Sequence, residues 1–172
     1  RRHVNSTAVE AMNALIRHRG PDGEGVWQSA DRQVVLGHRR LAVIDPTPAG
    51  AQPMVSPRGD LVLTFNGEIY NYLELGDDLK ADGSIFNSKS DSEVLLQGYA
   101  RYGEDVLRHL NGMFAFAIYD SVHRRLFCAR DRFGEKPLLY VHGPGFFAFA
   151  SEYKALLSLA EVSHNVDTDR LL

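Results

Sequence analysis

LVLTFNGEIYNY, residues 61–72, is the stretch on which the fold of this chain turns. Leu61, Leu63 and Phe65 alternate with Val62 and Thr64, the two-residue period of a strand made of β-forming side chains. Asn66-Gly67 then supplies the pair that tolerates positive φ in a tight turn, so the local expectation is two strands joined by a two-residue turn. A second reading rests on chemistry. An Asn side-chain amide and a Gly N–H side by side on rigid backbone are two donors that can aim at one developing negative charge, which is what an oxyanion hole requires.

Toward the C-terminus, LELGDDLKADG at 73–83 reads as a weak helix interrupted at Gly76. Ser90-Asp91-Ser92-Glu93 precedes Val94, Leu95, Leu96, Gly98 and Tyr99, so a helix starts there with Ser90 or Asp91 as cap and closes at Gly103. A short helix is expected over 104–110. Beyond Gly112 come MFAFAIYD, RRLFCARD, PLLYVH and FFAFAS, separated by turns at 121–124 and 143–145, which read as successive antiparallel strands. Residues 152–159 return to helix.

Toward the N-terminus, residues 5–17 carry Val9, Met12 and Ile16 at helical spacing, with Thr7 and Glu10 as a capping box. That helix must end before Gly20-Pro21. Short strands are expected at 25–28 and 33–38, with HRRLAVID continuing in extended form. Four prolines and two glycines make 46–60 a loop, either a binding element or a surface excursion. Helices therefore bracket two groups of strands joined by short turns. This is an α+β pattern of two antiparallel sheets packed face to face with helices on their outer faces.

A length of 172 residues with 44% hydrophobic and 24% charged side chains suits one soluble domain with a full core. The net charge of −3, with basic residues scattered among acids, offers no face for nucleic acid or anionic lipid. No apolar run reaches the roughly 18 residues of a membrane span, and no leader precedes the first helix, which points to a cytoplasmic protein. The single Cys128 cannot form an internal disulfide, and strand alternation makes it a small inward-facing hydrophobe rather than a nucleophile. His18, His38 and His123 have no metal-ligand spacing. The alternating charges Arg130, Asp131, Arg132 and Lys136 read as a structural ion-pair network around a turn.

FNGEIYN, taken with RHRGPDGEG at 17–25, GHRRLAVID at 37–45 and SDSE at 90–93, resembles the glutamine amidotransferase domain of asparagine synthetases over nearly the whole chain. ARDRFGEKPL and ASEYKALL point to the same branch. The resemblance implies the four-layer αββα sandwich of the N-terminal nucleophile hydrolases. It implies a glutaminase domain over 1–160 and, at 161–172, the start of a linker or helix leading to a C-terminal synthetase domain of the same polypeptide. The implied activity is hydrolysis of L-glutamine to glutamate and ammonia, for ATP-dependent amidation of aspartate, with homodimerisation left open. No cofactor is implied here; ATP and Mg²⁺ belong to the synthetase domain, and no SGG-type nucleotide loop occurs in these residues.

By the same resemblance, Asn66 and Gly67 are the oxyanion pair, Arg40 holds the glutamine α-carboxylate and Asp91 its α-ammonium. Glu68 adjoins the amide site, and Leu41, Ala42, Val43 and Ile44 line the pocket with backbone groups. Taken without it, Arg39-Arg40 reads as a solvated basic pair and Asp91 as a helix cap. The family's nucleophile is a Cys made N-terminal by methionine removal, with its own α-amine as base. It sits on a strand that would precede Arg1 and is absent from these residues, so the chain as written is expected to be inactive. A relative that has lost the Cys and keeps the domain as scaffold, as in β-lactam synthetases, is the alternative.

Overall fold

A computed structural model describes residues 3–165. In chain order the elements are α1 (Ser6–Leu15), β1 (Gly23–Gln28), β2 (Val35–Arg40), β3 (Met54–Val55), β4 (Leu61–Ile69), α2 (Tyr72–Ala81), α3 (Asp91–Tyr102), β5 (Gly112–Asp120), β6 (Arg125–Arg130), β7 (Leu139–Gly143), β8 (Phe146–Ala150) and α4 (Tyr153–Leu157). Arg1 and the helix expected at DTDRLL lie outside the described residues.

The turn expected at Asn66-Gly67 is absent. β4 runs unbroken through both residues and pairs with β5 from Leu61↔Asp120 to Ile69↔Gly112. Glycine is needed at position 67 for close approach instead: a Cβ there would stand 2.2 Å from the Met113 carbonyl oxygen and 2.7 Å from the Phe114 Cα.

β3, β4, β5 and β6 form one antiparallel sheet, in that order, while β1–β2 and β7–β8 are separate hairpins. On one face of the four-stranded sheet, Leu61, Leu63, Phe65, Phe114, Phe116 and Ile118 bury against Leu75 and Leu79 of α2 and Val94, Leu95, Leu96 and Tyr99 of α3. On the other face, Val62 and Tyr119 meet Leu36, Trp27 and Phe149 from the two hairpins. The outer side of the hairpins is covered by α1 and α4 through Met12, Ala155 and Leu156. The result is the expected αββα sandwich, with its second sheet supplied as two hairpins. Apolar side chains at both odd and even positions of β4 and β5 give the one sheet two buried faces.

Several local expectations are corrected. α1 is capped by the Asn5 side chain, which accepts from Thr7 N–H at 3.0 Å, so the Thr7/Glu10 box is not used. Extended structure in GHRRLAVID stops at Arg40. The 46–60 loop contains a 3₁₀ turn, Pro48–Gly50, and the short strand β3. α2 runs unbroken through Gly76, which is buried against α3, where a Cβ would make only ordinary contact with Val94 at 3.5 Å. Residues 103–108 are 3₁₀ rather than α.

The charged run after β6 is a hub of backbone bonds, not an ion-pair network; none of residues 130–136 makes an ion pair among the described residues. Asp131 accepts from the N–H groups of Phe114, Phe133, Glu135 and Lys136 at 3.2, 3.1, 2.9 and 3.0 Å. Burial pushes its carboxyl up, but these donors outweigh that and hold it at about 2. Arg130 ties the same turn by donating to the Gly134 and Lys136 carbonyls. Asp131 thereby fixes β5 at Phe114, the residue opposite Gly67.

Cys128 is half-buried opposite Ala117 on β6, and burial pushes its thiol up to about 11. A thiol so placed is a poor nucleophile. Cys128→Ala is expected to cost about 1 kcal/mol of stability in denaturant unfolding and to leave any amidase activity of the full-length protein unchanged. Rapid labelling by a thiol reagent together with loss of activity would reverse that assignment.

Candidate active site

The edge of β4 explains how two donors come to be free. Successive residues of a strand point their N–H groups to opposite edges. Phe65 N–H donates to Gln52 Oε1 at 2.7 Å and Ile69 N–H donates to Asp91 Oδ2 at 3.0 Å, both on the edge facing away from β5. Gly67, midway between them, directs its N–H to the same edge. Its register partner Phe114 is turned the other way, donating to Asp131 Oδ2 and accepting from Asp131 N–H at 2.7 Å. The neighbouring Asn66 projects from β4 on the face of Val62 and Thr64. Its Nδ2 is buried without a hydrogen-bond partner, the one such side-chain atom among the described residues. An unpaired buried amide costs roughly 1–3 kcal/mol, a cost that a ligand oxygen accepting from Nδ2 would offset.

Arg40 ends β2, and its guanidinium donates to the Asp45 carbonyl. Gly50 packs against it so closely that a Cβ would lie 2.5 Å from Nη2. The buried Asp45 carboxylate holds this loop in place, accepting from Thr47 N–H at 2.9 Å, Thr47 Oγ1 at 2.6 Å and Lys89 N–H at 3.1 Å. Asp91 opens α3 but does not cap it; Ser90 does, accepting from Glu93 N–H at 3.2 Å. The Asp91 side chain is therefore free for its bond to Ile69 and for the cavity. Burial raises its carboxyl, the nearby Glu68 adds to this, and the Ile69 N–H only partly offsets them. Neither Asp91 nor Glu68 makes an ion pair among the described residues, so a ligand cation is the natural complement.

These groups border one cavity of about 570 Å³, which gathers Arg40, residues 41–44, Asn66, Gly67, Glu68 and Asp91. All the residues singled out in the sequence for this site are thus brought together. Three more belong to it that the sequence did not announce: Gln52, Ser92 and Asp45. Ser92 and Asp45 lay inside quoted motifs, whereas Gln52 sits in a proline-rich loop with no pattern to mark it. His38 also borders the cavity; burial and then the flanking Arg40 and Arg39 bring its imidazole down to about 4, so it is neutral at ordinary pH. A second, largely apolar cleft of about 500 Å³ also reaches Asn66 and is bounded by α1, β2 and β8.

The arrangement suits an amino-acid zwitterion: a guanidinium for a carboxylate, a buried carboxylate for an ammonium, and two donors for a side-chain carbonyl. Cys128 borders neither cavity. No group of three or more His, Cys, Asp or Glu placed for a metal occurs among the described residues.

Comparison with known proteins agrees with this geometry. The family model described as the glutamine amidotransferase domain matches residues 1–172. A Mycobacterium tuberculosis protein provisionally named a glutamine-hydrolyzing asparagine synthetase is 47% identical over 165 residues, covering 91% of this chain and 25% of its own length. Asparagine synthetase (glutamine-hydrolyzing) 3 of Bacillus subtilis is 42% identical over 161 residues, covering 92% of this chain and 26% of its own. The chain thus spans about a quarter of the length of these relatives. Among solved structures, glutamine phosphoribosylpyrophosphate amidotransferase of B. subtilis superposes with a TM-score of 0.75 at 24% identity, covering 91% of this chain and 41% of that one, which supports the fold. On this evidence the chain belongs to the glutamine amidotransferase domain family.

Proposed function

We propose that this domain hydrolyses the side-chain amide of L-glutamine and that the ammonia released serves a C-terminal synthetase domain of the same polypeptide, which amidates aspartate with ATP and Mg²⁺. The observation that carries the first part is the unpaired buried Nδ2 of Asn66 beside the outward-facing N–H of Gly67, in one cavity with Arg40 and Asp91. Arg40 takes the α-carboxylate, Asp91 the α-ammonium with Glu68 beside it, and the backbone of 41–44 closes over the substrate. The carboxamide oxygen then lies toward Asn66 and Gly67. Attack on the amide carbon moves a negative charge onto that oxygen, the two donors receive it, and the nitrogen leaves as ammonia once protonated. Water then releases glutamate from the acyl intermediate.

The nucleophile in this reading is an N-terminal Cys upstream of Arg1. The second cleft supports it: β2 and β8 each have one edge unpaired among the described residues, and both line this cleft next to Asn66. An extended segment laid there would join the two hairpins into one sheet and bring its thiol to the oxyanion donors. No helix among the described residues is long and apolar enough to cross a membrane. A cytoplasmic location and a homodimer belong to the same proposal. The test is to incubate the full-length protein with glutamine, aspartate and ATP–Mg²⁺. Glutamate and asparagine should form in step; glutamate without asparagine would overturn the acceptor, and no glutamate would overturn the glutaminase itself.

A further inference from the structure

β3 pairs with β4 through Met54↔Leu63 and Val55↔Val62. Continued by the same register, Pro53 would face Thr64, Gln52 would face Phe65, and Gly50 would face Gly67. Proline has no N–H to give to such a ladder, and the chain leaves β4 at this point. The Gln52 side chain takes over the last pairing: its Oε1 accepts from Phe65 N–H at 2.7 Å and its Nε2 donates to the Phe65 carbonyl at 3.2 Å. This is the two-way exchange that a backbone residue of a neighbouring strand makes. The same Nε2 lies 3.3 Å from Ser92 Oγ, one residue from Asp91. Along the open edge of β4 the N–H groups therefore run Phe65 to Gln52, Gly67 to the cavity, and Ile69 to Asp91.

We propose that Gln52 is a positioning residue of this site: its side chain ends the β3 ladder at Phe65, two residues before Gly67, so that the Gly67 N–H stays open to substrate, and fixes that edge against the start of α3. A backbone strand carried further would pair with Gly67 and cover the oxyanion position. A loop with no anchor at Phe65 would leave the edge free but let Asn66 and Gly67 drift against Asp91. The inference rests on the glutaminase reading above.

The test uses full-length protein and three variants, Gln52→Met, which keeps the length and removes all three bonds, Gln52→Glu, which keeps only the acceptor for Phe65 N–H, and Asn66→Ala. Misplacing reacting groups by about 1 Å costs on the order of 10²-fold, so Gln52→Met should lower kcat for glutamine hydrolysis by 10- to 100-fold with KM within about threefold. Gln52→Glu should fall between it and wild type, and the Gln52→Met/Asn66→Ala double variant should lose less than the product of the single losses. Unchanged kcat in folded Gln52→Met and Gln52→Glu, a loss confined to KM, or fully multiplicative losses would overturn the role of Gln52. An inert Asn66→Ala would instead overturn the site reading on which it rests.

Discussion

Asn66→Ala in the full-length protein is expected to lower kcat for glutamine hydrolysis about 10²–10³-fold, the scale for losing one oxyanion donor, with much less movement in KM. The reason is that Nδ2 meets the carbonyl oxygen best when that oxygen bears charge. The structure adds a second expectation that separates this effect from misfolding. Nδ2 is buried and unpaired, so truncation removes a group whose desolvation costs roughly 1–3 kcal/mol rather than one that holds the fold. The variant should therefore melt at or above the wild-type temperature while losing activity. Wild-type activity in Asn66→Ala would take the residue out of the mechanism.

Arg40→Ala and Asp91→Ala should each weaken glutamine binding by roughly 2–5 kcal/mol, because each leaves one charge of the bound zwitterion desolvated and unpaired. Simple amides without α-groups should be indifferent to both changes. Asp91→Asn is the sharper probe: Ser90 still caps α3 and an Asn oxygen can still accept from Ile69 N–H, so only the charge is lost. Since burial raises the Asp91 carboxyl, glutamine affinity should fall on acidification as that group protonates, and this part of the pH dependence should vanish in Asp91→Asn. Calorimetry giving unaltered glutamine affinity in both alanine variants would remove the clamp.

What the sequence showed of this fold is what short-range periodicity can encode. The alternation in 61–65 and in MFAFAIYD marked both faces of the central sheet, and Ser90 before an apolar helical run marked the start of α3. The misreading at Asn66-Gly67 has a definite cause: the pair has turn propensity, but pairing with β5 along the whole of β4 overrides it, and the glycine is there for the Met113 carbonyl. Asp131 looked like one charge among several because the alternating charges masked a turn in which Phe133, Glu135 and Lys136 donate to it, and because its fourth donor, Phe114, comes from β5. The members of the site came from motif resemblance, since Arg40, Asn66 and Asp91 are brought together only by the packing of β2, β4 and α3. Gln52 was invisible for the same reason: its role depends on the register of β3 against β4, which no single stretch contains.

The most direct measurement is a crystal structure of the full-length protein with L-glutamate, the product, in the cavity. The expected pose has the α-carboxylate on the Arg40 guanidinium, the α-ammonium on Asp91, and one oxygen of the side-chain carboxylate within hydrogen-bond distance of both Asn66 Nδ2 and Gly67 N–H. Glutamate bound elsewhere, or bound here with its α-groups turned away from Arg40 and Asp91, would contradict the assignment of this cavity as a glutaminase site.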